Sequence, residues 1–286
     1  MRKLFDYFVF GNIFIALCAA SMVQTSYIVH DHHTNLSFIT LFVAASTFLL
    51  YNFHQYAYQF EFASWSKFLT SVKEMSIEKT DAIFSVIATI IASSALFFIR
   101  SETILLLLLM AIPALLYSIP LFSKGNKKIR LRELLFFKMP LLAFVWAFST
   151  VVIPAVNEGV AMTSPPLIFL FLSRFFFIFA LCIPFEVRDI EFDRKNKTLT
   201  IPVVYGAFAT RFIGVVAVLI EICIHHFLSF EKYISYNIVW ALDVTSIAAM
   251  LWIIYENKLS GKYFYKFLVD GTMIIRYIIL LLFCAL

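Results

Sequence analysis

Charge is what this sequence has least of: Asp, Glu, Lys and Arg together make up 14% of its 286 residues, against 62% hydrophobic residues. A water-soluble domain needs nearly twice that density of charge on its surface. With a mean hydropathy of +0.89, the chain would expose large apolar patches in water and aggregate. Cysteine is equally uninformative for chemistry. The four cysteines, Cys18, Cys182, Cys223 and Cys284, each lie in an apolar stretch without a C-x-x-C partner, which argues against a disulfide framework and a zinc site. No long polar segment interrupts the apolar runs, so a linker between soluble domains is excluded and one transmembrane domain, 1–286, is expected. The net charge of +5 is read as a topology signal, with no nucleic-acid partner implied, because the basic residues sit in short connections between apolar runs.

What is abundant is apolar sequence of membrane-crossing length. A bilayer core about 30 Å thick needs about 20 apolar residues per helix. Nine such stretches are found, near 8–29, 36–59, 80–100, 103–122, 134–156, 163–185, 207–229, 233–255 and 267–286. In lipid each must satisfy its own backbone polar groups, so each is a helix. The expected fold is therefore an all-α integral membrane protein of about nine transmembrane helices. Arg2 and Lys3 before the first run, and the "IALCAAS" that follows, mimic a processed leader, but Leu17 is too large to precede a lipoprotein cysteine and the segment is read as the first span. With nine spans, 19 of the 23 Lys and Arg residues fall on one side and only Arg100 and Lys232 on the other. That asymmetry places the N-terminus in the cytoplasm and the C-terminus opposite, in a bacterial inner membrane. The long charged loops 60–79, 123–133 and 186–206 share the cytoplasmic side, so a site for a charged substrate opens there.

The 34 phenylalanines cover lipid-facing helices or line an aromatic cavity; composition alone leaves both open. Four ionisable residues, Arg174, Glu221, Asp243 and Arg276, fall near mid-depth and are costly there unless paired. Pairing of consecutive antiparallel spans predicts Arg276 with Asp243 and Arg174 with Glu221. The "HDHH" of residues 30–33 is read as an inert loop, and the adjacent His225 and His226 as a weak metal site because neighbours on a helix face different ways.

The densest chemistry lies in "PFEVRDIEFDRKNKTLTIPVVYG", residues 184–206. Glu186, Asp189 and Asp193 are spaced to share one helix face. Three carboxylates together invite a hard divalent cation such as Mg2+, which bridges to phosphate oxygens, and Arg188, Arg194, Lys195 and Lys197 could hold a diphosphate directly. A solvated loop with internal salt bridges is the plainer alternative.

This segment resembles the second aspartate-rich motif of the UbiA superfamily of intramembrane prenyltransferases, with Arg188, Asp189, Asp193, Arg194, Thr200, Val203 and Gly206 at matching places. "YSIPLFSKGNKKIRLRELLFFKMP", residues 117–140, resembles the family's Y-S-x-P and basic stretch. The resemblance implies nine helices around a central apolar cavity, and transfer of a prenyl group from an isoprenoid diphosphate to an acceptor such as an aromatic ring. It also implies Asp189 and Asp193 as catalytic metal-binding residues with Glu186 assisting, Mg2+ as cofactor, and Arg188, Arg194, Lys195, Arg130 and Arg132 around the diphosphate. The family's first motif, N-D-x-x-D-x-x-x-D, maps onto "YNFHQYAYQFE", residues 51–61. Asn52 matches, but the three aspartate positions are Phe53, Tyr56 and Phe60, and Glu61 is one residue out of register. That loss keeps a second reading in view, a non-catalytic family member binding an isoprenoid lipid or a partner protein. The mid-membrane charges suggest a third, a small-solute transporter.

Overall fold

The structure, a computed structural model, describes residues 2–31, 36–56, 78–117, 122–124, 127–129, 136–196 and 198–284. The helices are α1 (Arg2–Phe10), α2 (Ile13–Asp31), α3 (Phe38–Tyr56), α4 (Lys79–Leu96), α5 (Ser101–Leu116), α6 (Lys138–Ala147), α7 (Ile153–Asn157), α8 (Pro165–Arg188), α9 (Ile190–Lys195), α10 (Ile201–Phe230), α11 (Tyr236–Leu259) and α12 (Thr272–Cys284). A short antiparallel hairpin pairs β1 (Phe122–Lys124) with β2 (Lys127–Ile129). Among the described residues, six helices are long and apolar enough to cross a membrane by length and composition. The protein is an integral membrane protein by this architecture.

The helices form a ring. Chain neighbours pack in order, α8 against α10 and α10 against α11, and the last helix, α12, closes on α2. α2 lies innermost, touching α3, α12 and the π turn Phe148–Val152 that joins α6 to α7. That role explains why α2 keeps Cys18, Met22 and Val23 fully buried. Outward faces carry bare aromatics, Phe97, Phe208 and Phe230 among them, so much of the phenylalanine faces lipid. Such large apolar surfaces mark a membrane-embedded exterior.

Two local features follow from single residues. Pro154 has no N–H, so the Thr150 carbonyl four residues earlier loses its helical donor. The Ser26 hydroxyl donates to it instead at 2.6 Å, tying α2 to the widened turn. At Gly206, φ is +82° within the Ile201–Phe230 helix, a conformation that costs a side-chain-bearing residue. This break separates one turn of helix, beginning at Ile201, from the spanning part of α10. The spanning helix expected from 207 is thus preceded by an extra helical turn.

Gly214 lets α8, α10 and α11 come together. A Cβ there would lie 2.8 Å from Ile183 Cγ1 and 3.0 Å from Ile253 Cδ1, and both isoleucines are fully buried. Small residues serve this purpose in membranes, where packing drives association. Gly214→Ala should therefore lower stability by about 1–3 kcal/mol through overpacking, read as a drop in the melting temperature of detergent-purified protein.

Candidate functional site

The mouth of the ring holds a cavity of ≈ 290 Å³ in which the end of α8 meets α6, α3 and the segment before α12. Its polar lining is Lys138, Glu186, Arg188, Asp189, Lys266, Asp270, His54 and Tyr117. A second chamber of ≈ 240 Å³ is lined by Phe42, Val43, Leu50, Leu107, Met110, Leu115 and Val145, among others. Tyr51 and Trp146 line both. The expected hollow beneath the acidic segment is thus present, polar at one end and apolar at the other. Concave sites that combine an apolar body with a few convergent polar groups are characteristic of ligand binding.

The three carboxylates of the second motif do not gather into one metal-ligating group. α8 ends at Arg188, Asp189 sits between helices with φ −87° and ψ 2°, and α9 starts at Ile190. Asp189 lines the cavity beside Glu186, but the two carboxylates are taken up by different cations. Arg188 donates to both Asp189 oxygens, at 2.7 and 3.2 Å. The guanidinium also lies 4.7 Å from the ring centre of Tyr265 and 5.2 Å from that of Phe185. Glu186 and Asp193, both buried, turn instead toward Lys138, whose Nζ is 2.8 Å from Glu186 Oε1 and 3.6 Å from Asp193 Oδ2. Among the described residues no group of three or more His, Cys, Asp and Glu is placed to hold a metal ion. Among the described residues the donor set does not fit the expected divalent-cation cluster: one ammonium and one guanidinium stand against the carboxylates that would bind it.

Other expectations need correction. Arg194 pairs with Glu191 at 2.7 Å, and both side chains are largely exposed; with the exposed Lys195 it lies outside the cavity lining. The short helix α9 points them to solvent, one turn beyond the mouth. Asn52 is buried between helices: it accepts from Asn12 Nδ2 at 2.7 Å and donates to Ser85 Oγ at 3.3 Å. Its neighbours Tyr51 and His54 line the cavity instead. Tyr56, at the second aspartate position of the lost first motif, donates to Asp81 at 2.7 Å, as does Tyr7 at 2.9 Å. Arg130, Arg132, Phe60, Glu61, Lys197, His32 and His33 lie outside the described residues.

Sequence reasoning missed Lys138, Lys266 and Asp270 as site residues. Lys138 entered only as a count toward topology. Asp270 was readable, since an acid inside an apolar run is a functional candidate by default. Burial holds the Lys266 ammonium below its ordinary range, with Asp270 opposing the shift and Arg188 adding to it. An anion that relies on this charge should therefore bind less well as pH rises, starting below the range where an ordinary lysine titrates. Lys266→Arg should move that loss upward, as a pH series of ligand affinity would show.

Deeper in the bundle the charged pairs differ from those expected. Arg276 pairs with Glu221 at 2.8 Å, not with Asp243. It also donates to Thr245 Oγ1 at 2.8 Å and Ser246 Oγ at 2.9 Å, and lies 3.3 Å from the Phe177 ring centre. Arg174 donates to the Met22 carbonyl at 2.8 Å, Thr150 Oγ1 at 3.2 Å and Ser26 Oγ at 3.3 Å, rather than to Glu221. Asp243 faces His225 Nδ1 at 2.8 Å and His226 Nε2 at 3.1 Å. Ring closure explains the exchange. The guanidinium of α12 reaches past hydroxyls of α11 to α10, and that of α8 points inward to α2 and the π turn. A guanidinium with five donors is satisfied by several neutral oxygens as well as by one acid.

A ring of apolar helices, with a cavity at one end that carries Lys138, Arg188 and Lys266, defines a membrane-embedded helical protein. The profile of the UbiA prenyltransferase family matches residues 73–266, more than half of the chain, and the protein belongs to that family. Its fold is similar to that of a UbiA homolog from Aeropyrum pernix K1 in the apo state (12% identity, TM-score 0.62, covering 97% of this chain and 98% of that one). It is also similar to a UbiA homolog from Archaeoglobus fulgidus bound to GPP and Mg2+ (12% identity, TM-score 0.58, covering 98% and 99%). A third likeness is to a structure of digeranylgeranylglyceryl phosphate synthase (17% identity, TM-score 0.55, covering 100% and 98%). No curated protein matches the chain in sequence.

Proposed function

We propose that the protein transfers a prenyl group from an isoprenoid diphosphate to an acceptor, an aromatic ring being the acceptor class in view. The observation that carries this reading is the pair of adjoining cavities, cationic at the mouth and apolar within, meeting at Tyr51 and Trp146. The diphosphate would lie near Arg188 and Lys266 and the isoprenoid tail in the chamber of α3, α5 and α6. The allylic C–O bond breaks with its electron pair leaving on the diphosphate. The acceptor then bonds to that carbon and releases a proton. Cations at the mouth favour the departing charge, the faces of Tyr51 and Trp146 can stabilise the allylic cation, and the apolar chamber keeps water from quenching it. In the same reading the cytoplasm holds the mouth and the N-terminus, in a bacterial inner membrane.

The second reading, a family fold that binds an isoprenoid without transferring it, is favoured by one observation, the carboxylates already neutralised by Lys138 and Arg188. Purified protein incubated with GPP and a panel of aromatic acceptors separates the two: prenylated product supports transfer, and binding without product under any acceptor supports the second. Filling the chamber tests the tail's position. Ala114 lines the second chamber, and Ala114→Trp should abolish binding of long-chain prenyl diphosphates while weakening GPP by less than about tenfold; equal loss for all chain lengths would place the tail elsewhere.

A further inference from the structure

We infer that Lys138 takes the position of a divalent cation in this protein, its ammonium bridging the buried carboxylates of Glu186 and Asp193 to the anionic headgroup of the ligand, so that a diphosphate binds without metal. The inference rests on the proposed diphosphate site, and it concerns how that site is neutralised.

Three observations carry it. First, Lys138 Nζ stands between two buried acids from different helical segments, 2.8 Å from Glu186 and 3.6 Å from Asp193, while its own side chain is only 22% exposed. A hard divalent ion would seek that point between two carboxylates, and an ammonium already occupies it. Second, Lys138 and Glu186 both line the mouth cavity. An ammonium has three donors. With one directed at Glu186 and Asp193 held at ion-pair distance, its Oδ2 without a hydrogen-bond partner, donors remain for a phosphoryl oxygen, so the group joins carboxylates to phosphate as a bridging metal does. Third, the other acids of the cavity, Asp189 and Asp270, do not join Glu186 in a metal-ligating trio among the described residues. Asp189 is held by Arg188, and Tyr56 occupies a first-motif aspartate position and is bonded to Asp81. A single positive charge replaces a double one, and Arg188 and Lys266, which line the same cavity, supply the rest.

The test uses full-length protein in lipid nanodiscs and a non-hydrolysable thiolo analogue of GPP, with affinity measured in EDTA and in millimolar Mg2+. The expected result is affinities within about tenfold of each other. Lys138→Met frees Glu186 and Asp193, so its affinity should fall more than about tenfold in EDTA and recover on adding Mg2+; Mn2+ should then give a paramagnetic signature that the unaltered protein lacks. A loss of more than about tenfold in EDTA for the unaltered protein overturns the inference and leaves the prenyl diphosphate reading standing. So does a Lys138→Met protein that remains folded and binds equally well in EDTA. If the analogue binds folded protein under neither condition, the diphosphate reading fails and this inference with it. Should Lys138→Met not fold, the comparison in unaltered protein decides alone.

Discussion

Glu221→Leu should cost the folded protein about 3–5 kcal/mol, the penalty for leaving a buried charge without its partner. Glu221 is fully buried and Arg276 nearly so, at 2.8 Å from each other. The hydroxyls of Thr245 and Ser246 would still accept from the guanidinium, but they do not neutralise it, and mid-membrane surroundings offer little water to do so. The double change Glu221→Leu with Arg276→Met removes both charges and should recover most of the loss, since a buried ion pair replaced by apolar groups of similar volume is often near neutral. Melting temperatures of the single and double variants in one detergent provide the check. Equal destabilisation by the double variant would mean that the pair contributes through hydrogen bonds to α11 rather than through charge.

Arg188→Ala is expected to weaken prenyl diphosphate binding about 10–100-fold, the scale of one lost charge-assisted contact plus an uncovered carboxylate. Two changes add. The cavity loses a cation, and Asp189, until then held at 2.7 and 3.2 Å, presents its charge to the ligand. Arg188→Ala combined with Asp189→Ala should therefore bind better than Arg188→Ala alone. Asp189→Asn should leave binding unchanged or tighten it, because the guanidinium keeps its place over Tyr265 and Phe185 and gains freedom toward the phosphate. A large loss on Asp189→Asn would instead show that the carboxylate itself serves the ligand through a cation. Titration of a fluorescent GPP analogue into the four proteins distinguishes these outcomes.

Much of the site's location was legible, and much of its wiring was not. The segment 184–206 drew attention because acids and bases crowd into an otherwise apolar chain, and Glu186, Arg188 and Asp189 do line the mouth. The spacing of Glu186, Asp189 and Asp193 misled because it counts carboxylates and not the cations that divide them: Lys138 takes Glu186 and Asp193, and Arg188 takes Asp189. Arg194 was grouped with the site by its motif position and Lys195 by its place beside it, and both are exposed, outside the cavity lining. Lys138 lies 48 residues before Glu186 in the chain, and nothing local to "KMP" says that it meets that acid. Asn52 matched a motif position yet is used to join helices, since the aspartates that would accompany it are absent.

The sequence by itself determined that this is a membrane protein of helices. Long apolar runs with few charges have one low-energy arrangement in a bilayer, and helix formation within each run is a local matter of backbone hydrogen bonds. It also determined which residues bear charge at mid-depth. The tertiary structure decided whom those charges meet: Arg276 finds Glu221 across α11, Arg174 finds α2, and Lys138 finds Glu186 and Asp193. Such pairings depend on the rotation and closure of the ring, which arise from packing such as that at Gly214 and Thr150, and a side chain's partner in space is set by those contacts rather than by its distance along the chain.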